Sequence, residues 1–289
     1  MATIEENRRR LKDLLAGPEI VVAPGCGDPL TARLVERAGL GAIHASGSVA
    51  HRTSGYADAG ILTLTEMTER ITALSDRVDL PIIADADTGF GGAVNVVKTV
   101  KDYERAGAAA IHIEDQLTPK RPTYQGFSGS FVTRQEMVDK IRAAVDTRSD
   151  GNLVIIARCD IDDWEEKLER VAACVEAGAD GVWMSARGAA KLKELSAVAG
   201  RPGFGVLPRD MTLAEYRDAG AACAVIPGTL QIAALCVQLA LLEQLKETGN
   251  AEDYLATLPH VDDMRKFYGQ QGNAELQEIE KNYGGGSEG

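Results

Sequence analysis

The feature that most constrains this chain is a repeat of short, continuously apolar segments, each followed by a charged amphipathic stretch. The apolar segments fall at 20–23, 42–45, 82–84, 109–113, 153–157, 181–184, 203–207 and 222–226. They do not alternate polar and apolar residues, so both faces of each strand are expected to be covered, as in parallel sheets wrapped by helices. Between them, 95–105, 134–147 and 164–177 carry apolar residues at helical spacing. Several helices run into small-residue turns, at 38–41, 106–107, 177–180 and 219–220, where glycine suits the left-handed position after a last helical turn. Eight strand-then-helix units predict an α/β fold closed as a (β/α)8 TIM barrel. An open doubly wound sheet is the competing arrangement, but no GxGxxG turn follows the first segment.

On this reading 1–289 is a single barrel domain, with 231–282 as a C-terminal helical extension and 283–289 as a flexible glycine-rich tail. The net charge of -12 argues against a nucleic acid or an anionic membrane as partner, since both require clustered Lys and Arg. It does not bear on small anions, which a few local cations or a metal can hold. The start of the chain is polar and acidic, unlike a secretory signal, and no apolar run approaches the roughly 18 residues of a membrane span. Five cysteines without CxxC spacing read as reduced, buried thiols, so a cytoplasmic location is expected.

In such a barrel the carboxyl ends of the strands build the active site. That rule turns the strand list into a site list: Ser46-Gly47-Ser48 after the second strand, Asp85-Ala86-Asp87 after the third, Glu114-Asp115 after the fourth and Arg158-Cys159-Asp160 after the fifth. Carboxylates gathered at one rim repel unless a cation lies among them, and hard oxygen ligands suit Mg2+, with Mn2+ as an alternative. No cluster of thiols or imidazoles is apparent, which argues against zinc. Asp85 is expected as the direct metal ligand, with Asp87 and Glu114 on metal-bound waters and Asp58 approaching from the loop after the second strand. Arg158 suits a substrate carboxylate, and the backbone N–H groups of Ser46, Gly47 and Ser48 suit a developing oxyanion. Singly, each has a plainer explanation: an Asp-x-Asp caps helices and an Arg pairs structurally. Placement on consecutive strand ends is what raises the metal reading.

At these residues the chain resembles the isocitrate lyase/phosphoenolpyruvate mutase superfamily. The resemblance rests on Ala84-Asp85-Ala86-Asp87-Thr88-Gly89-Phe90-Gly91, Val100 to Gly107, Ile111-His112-Ile113-Glu114-Asp115-Gln116, Lys140-Ile141-Arg142-Ala143-Ala144 and Ile155-Ile156-Ala157-Arg158. It runs from about Arg9 to about Asp180. It implies Mg2+ at Asp85 with Asp87 and Glu114 nearby, an oxyanion contact from Ser46-Gly47, carboxylate binding by Arg158, and a 2-oxo acid or its enolate as the bound species. It also implies a homo-oligomer, a dimer of dimers, in which the last helix is swapped between neighbours.

The resemblance breaks at the part that would select the reaction. Lyases of methylisocitrate or dimethylmalate carry a Lys-Lys/Arg-Cys-Gly-His loop whose Cys acts as acid. Here Lys120-Arg121 is kept, but Pro122 and Tyr124 stand at the Cys and His positions. Ser185 replaces a Glu after the sixth strand, and Leu207-Pro208-Arg209-Asp210 replaces an Asn-x-Thr-Glu segment after the seventh. The Asn-Ser loop of the mutases and phosphonopyruvate hydrolases is also missing. The branch containing oxaloacetate decarboxylase lacks the Cys and resembles this chain in Gly47-Ser48-Val49-Ala50 and Ile61-Leu62-Thr63-Leu64.

The expected activity is therefore Mg2+-dependent cleavage of a C–C bond next to a 2-oxo acid, with oxaloacetate decarboxylation to pyruvate as its simplest form. The expected partner is a small 2-oxo or 2-hydroxy carboxylate, with Lys120 among its contacts and Tyr124 or His44 as proton carriers. Alternatives are a lyase of a 2-methylisocitrate- or dimethylmalate-like substrate, a phosphonopyruvate hydrolase or mutase type of enzyme, and a non-catalytic metal-binding barrel. His51 and His260 are expected in solvent, Trp164 and Trp183 in packing, and Glu165-Glu166-Lys167 on an exposed helix face.

Overall fold

The computed structural model describes residues 2–123 and 126–283. In chain order the first half contains α1 (Ile4–Ala16), β1 (Val21–Cys26), α2 (Pro29–Arg37), β2 (Ile43–Ala45), α3 (Gly47–Thr53), α4 (Leu64–Ser75), β3 (Ile82–Asp85), α5 (Ala93–Arg105) and β4 (Ala110–Glu114). There follow α6 (Arg134–Thr147), β5 (Val154–Arg158), α7 (Trp164–Glu176), β6 (Gly181–Trp183), α8 (Ala189–Ala199), β7 (Gly203–Val206), α9 (Leu213–Asp218) and β8 (Ala221–Ile226). The last elements are α10 (Thr229–Thr248), α11 (Glu252–Leu255), α12 (Val261–Gly269) and α13 (Asn273–Tyr283). The eight strands pair in parallel and in sequence order, and β8 closes on β1 through Val21 with Cys223 and Ala23 with Val225. This is the closed (β/α)8 barrel expected from the apolar segments.

Local chemistry explains the helix starts. Thr3, Thr63, Thr133 and Thr212 each accept from the backbone three residues on, and Glu6, Glu66, Glu136 and Glu215 return the bond to the cap. These capping boxes satisfy N–H groups that a helix leaves unpaired at its start. The expected helix-to-strand turns hold glycines at positive φ, among them Gly107 at 100°, where an added Cβ would collide with Ser75.

Strand alternation sorts the core into two layers. Val21, Ala23, Ala42, Ile83, Ala110, Val154, Ile156, Trp183, Phe204, Cys223 and Val225 form one buried cluster, with Leu11 of α1 packed on it. Their neighbours Ile43, Ile82, Ala84, Ile111, Ile113, Ile155 and Val182 pack instead with helix residues such as Val100, Tyr103, Ile141 and Leu192. The first set is the barrel interior and the second the sheet–helix interface, as a parallel barrel requires.

The chain divides into two compact units after Leu230. The second contains most of α10 and all of α11 to α13, and these helices bury none of their residues. Tyr283, expected at the head of a flexible tail, ends α13. No helix among the described residues is long and apolar enough to cross a membrane.

Candidate active site

The interior parity continues past the apolar layer and puts polar groups on the barrel axis. His44 lies two residues beyond Ala42, Asp85 two beyond Ile83, His112 and Glu114 two and four beyond Ala110, and Arg158 two beyond Ile156. Register then brings them together: Asp85 pairs with His112 across β3 and β4, and Glu114 with Arg158 across β4 and β5. All of these but Arg158 are buried, and Arg158 is half-buried at the open end.

The structure brings Asp58, Asp85, Asp87, Glu114, Lys120 and Arg158 into one network. Asp85 accepts from the Gly47 N–H at Oδ2 and from the Asp87 N–H at Oδ1, both at 3.0 Å. Lys120 reaches Asp58 Oδ1 at 2.9 Å and Asp87 Oδ1 at 2.5 Å. Arg158 reaches Glu114 Oε2 at 3.1 Å, and its Nε and Nη2 reach Asp160 Oδ2 at 2.8 and 2.6 Å. Asp160 in turn accepts from the Ser185 hydroxyl at 2.6 Å. A guanidinium carries five N–H groups, and Nε alone is hydrogen-bonded, to Asp160, so the Nη1 and Nη2 side of Arg158 keeps N–H groups for an incoming anion.

Backbone geometry makes this approach possible. A Cβ on Gly47 would lie 2.8 Å from Asp85 Oδ2 and 3.1 Å from Asp87 Oδ1, so only glycine lets α3 start against the carboxylates. Asp87 itself sits at φ 46°, a conformation that non-glycine residues rarely adopt and that concentrates at functional sites.

Burial and charge set the ionisation. Burial works against the charge on Asp85, but the positive groups around it prevail and hold its carboxyl well below the usual range. Asp87 is pushed up, first by burial, and Glu114 rises for the same reason to about 7. Burial also lowers His44 to about 4 and His112 to about 3, so both imidazoles are neutral at physiological pH.

Several expectations need correction. The imidazoles do cluster: His44 and His112 face each other with their Nε2 atoms 3.0 Å apart, and His112 Nδ1 lies 3.6 Å from Asp85 Oδ1. They come from strands distant in sequence, so no local motif marks them; counting interior parity from Ala42 and Ala110 would have found both. Gly47 N–H is not an open oxyanion donor, because Asp85 already accepts it. His51 is fully buried, not solvated. Its Nε2 accepts from the Ile61 and Leu62 N–H groups at 3.0 and 3.1 Å, so Nδ1 carries the proton and donates to the Gly47 carbonyl at 2.8 Å. It thus ties α3 to the loop that carries Asp58. Lys167 is buried as well, donating to the Ser185 carbonyl at 2.8 Å. Ser46 caps α3 through its hydroxyl, Ser48 accepts from Arg52, and Tyr124 lies outside the described residues. Trp183 lines the interior, its ring 4.4 Å from His112 and 5.4 Å from the Arg158 guanidinium carbon.

The donor set fits a divalent cation. Asp58, Asp85, Asp87, Glu114 and Asp160 are five acids facing two basic side chains, Lys120 and Arg158. Asp87 Oδ2, a buried carboxylate oxygen, has no hydrogen-bond partner in this site. An unsatisfied buried carboxylate oxygen is costly unless an ion or water meets it.

The family model described as phosphoenolpyruvate phosphomutase matches residues 11–245. The chain belongs to the phosphoenolpyruvate mutase/isocitrate lyase superfamily. Among superfamily members, a 2,3-dimethylmalate lyase of Eubacterium barkeri is 35% identical over 96% of this chain and 98% of its own. A solved oxaloacetate acetylhydrolase bound to 3,3-difluorooxalacetate is 27% identical with a TM-score of 0.87, covering 98% of this chain and 99% of that one. A phosphonopyruvate hydrolase complexed with oxalate and Mg2+ is 28% identical with a TM-score of 0.85, covering 96% and 99%.

Proposed function

We propose that this protein is a divalent-cation-dependent carbon–carbon lyase whose preferred reaction is decarboxylation of oxaloacetate to pyruvate and CO2. The observation that carries the choice is the state of the two positions where lyase relatives are expected to place acid groups. Pro122 has no proton to give, and the Ser185 hydroxyl is already committed to Asp160. Decarboxylation needs neither. When bound, the cation supplies Lewis-acid polarisation of the 2-oxo acid, held by Asp85 with Asp87 and Glu114.

The chain's own groups do the rest. Arg158, steadied by Glu114 and Asp160, offers N–H groups of Nη1 and Nη2 to the substrate's 1-carboxylate. The C3–C4 bond breaks, CO2 leaves, and the electron pair passes into the 2-oxo group; a proton from water, or from Tyr124, then reaches C3. Lys120 lies between Asp58 and Asp87 and is placed to exchange one of them for a substrate carboxylate. Buried, neutral His44 lines the floor. Ser46 and Ser48 frame the turn beside Asp85.

The test is release of pyruvate from oxaloacetate by purified protein with Mg2+ or Mn2+. A rate no higher than that of the free metal ion would sink this reading. The 35% identity to a dimethylmalate lyase supports a second one, C–C cleavage of a substituted malate or methylisocitrate. Pyruvate or glyoxylate appearing with a second carboxylic acid would favour it, and turnover of phosphonopyruvate would favour the hydrolase type. We also propose that α10, with Ile232, Leu235, Leu239 and Leu242 about 60% exposed, packs against another copy. Light scattering giving a dimer or tetramer would support that assembly.

A further inference from the structure

The packing face of α7 carries charge where a helix laid on a barrel carries apolar residues. Its buried positions are Lys167, Arg170, Val171 and Cys174, and the first two are cations only 7% and 5% exposed. Taking a charge out of water is costly unless it meets a partner. Lys167 donates to the Ser185 carbonyl, just beyond β6, at 2.8 Å. Arg170 donates from Nη1 to Asp115 Oδ2, just beyond β4, at 3.2 Å, while Glu166 holds its Nε at 2.8 Å. One helix face thus reaches two strand ends on either side of β5.

Both lines converge on Asp160. The Ser185 hydroxyl donates to Asp160 Oδ1 at 2.6 Å, and the Asp160 N–H donates to Asp115 Oδ1 at 2.8 Å. Asp115 also donates its own N–H to the Arg158 carbonyl at 3.1 Å, tying the ends of β4 and β5 together. Asp160 is therefore fixed at its backbone from the β4 side and at one carboxylate oxygen from the β6 side. Its other oxygen, Oδ2, faces Arg158, with Nε at 2.8 Å and Nη2 at 2.6 Å. A guanidinium recognises a carboxylate by direction as well as by charge, so a fixed Asp160 sets the plane in which Arg158 is presented. Stability alone is a weak reason for burying two cations here, because apolar side chains of similar volume often stabilise a fold as well as buried ion pairs do.

We propose that Lys167 and Arg170 are positioning residues that act on substrate binding through Asp160 and Arg158. Lys167 holds the β6 end so that the Ser185 hydroxyl meets Asp160, and Arg170 holds Asp115 against the Asp160 N–H. A shift of about 0.5 Å in the Arg158 fork is enough to weaken paired hydrogen bonds to a carboxylate. This rests on Arg158 as the carboxylate-binding group of the proposed function, and not on which bond is broken.

A double-mutant cycle with Arg158→Lys separates positioning from mere support of the fold. The probe is oxalate, whose binding to full-length protein saturated with Mg2+ is measured by calorimetry, alongside KM and kcat for oxaloacetate. Lys167→Met should weaken oxalate about fivefold, the worth of one hydrogen bond to a charged group, and raise KM by a similar factor with kcat changed less than about twofold. In the Arg158→Lys background the same substitution should change oxalate affinity less than about twofold, because the group it positions is gone. Equal losses in the two backgrounds, or a lowered melting temperature with unchanged oxalate affinity, would overturn the proposal. Should Lys167→Met fail to fold, Arg170→Lys, which keeps the charge beside Asp115, is read in the same cycle against the same outcomes. Oxalate binding that depends on Lys167 in a protein that releases no pyruvate supports the proposal and defeats the proposed reaction. Pyruvate release with an additive cycle does the reverse. A wild-type protein that binds no oxalate overturns the proposal, since it then has no carboxylate site to position.

Discussion

The rim of the barrel has two unlike halves. Over β2 to β5 the charged side chains are buried, Arg158 and Asp160 half-buried, and they are tied to one another: Asp58 and Asp87 to Lys120, Glu114 and Asp160 to Arg158, His51 to the turns on both sides. Over β6 to β8, Ser185 is half-buried and Arg187, Val206 and Arg209 are exposed. Ser185 there leans on the first half through Asp160. The first half holds charge in a fixed pattern against its own repulsion, which needs many mutual contacts. The second half carries few such obligations and can change residue by residue. The family model spans both halves, matching residues 11–245, so the difference lies in the side chains of the rim and not in the framework.

The largest effect should come from Asp85→Ala. It removes the carboxylate of the site that, among the described residues, has no Lys or Arg ion pair, so cation binding should be lost and kcat/KM should fall by at least about a thousandfold, as expected when Lewis-acid assistance disappears. Calorimetry with Mn2+ and a pyruvate assay check both. Intact activity in this variant would break the assignment of chemistry to the β2–β5 rim.

Next is Arg158→Lys. A lysine keeps the charge but cannot face Glu114, Asp160 and a substrate carboxylate with a planar fork. We expect about a hundredfold loss in kcat/KM, carried largely by KM, with thermal stability lowered because Glu114 loses its buried partner. Steady-state kinetics on oxaloacetate would show it.

Glu114 offers a test by pH. Its carboxyl is raised by burial to about 7 from a usual value near 4.5. In metal-free protein the folded state keeps this proton between those values while the unfolded chain has released it, so this group's contribution to stability falls as pH rises through that window. Cation binding at pH 6 should therefore release close to one proton, and at pH 8.5 almost none. Glu114→Gln should abolish the difference. Calorimetry in buffers of different ionisation enthalpy measures the proton count, and identical counts at the two pH values would contradict the buried, protonated carboxyl.

How much of this was legible beforehand follows the same division. The barrel could be read because parallel strands covered on both faces must be continuously apolar, and each proposed segment overlaps a strand. The carboxylates could be read because Asp85, Glu114 and Arg158 end strands or adjoin their ends. The His44–His112 pair could not be read from a local motif, since its members meet only when β2, β3 and β4 curl into one wall. His51 failed for another reason. Its helix, α3, is short and its burial comes from the 61–62 loop folding over it, a contact no periodicity encodes. Lys167 failed because the amphipathic pattern of α7 does not show that its ammonium reaches the Ser185 carbonyl.

The smallest effects should come from Ser185→Ala and Arg209→Ala, and they test the comparison most sharply. Ser185 donates one hydrogen bond to Asp160, which still holds Arg158 through Nε and Nη2 without it. Losing one half-exposed hydrogen bond costs about 1 kcal/mol, so kcat/KM should fall less than about tenfold. Arg209 is exposed beyond the end of β7 and is in none of the ion pairs of the carboxylate network. Its removal should raise KM for a dicarboxylate a few-fold, about the worth of one solvent-screened ion pair, and leave kcat unchanged. Raised ionic strength should weaken wild-type binding in the same direction and have less effect on the variant. A hundredfold loss of kcat in either variant would mean that the sparse half takes part in bond breaking. The acid missing at Pro122 would then have to be sought among β6 and β7 residues, and decarboxylation would lose the argument that favours it.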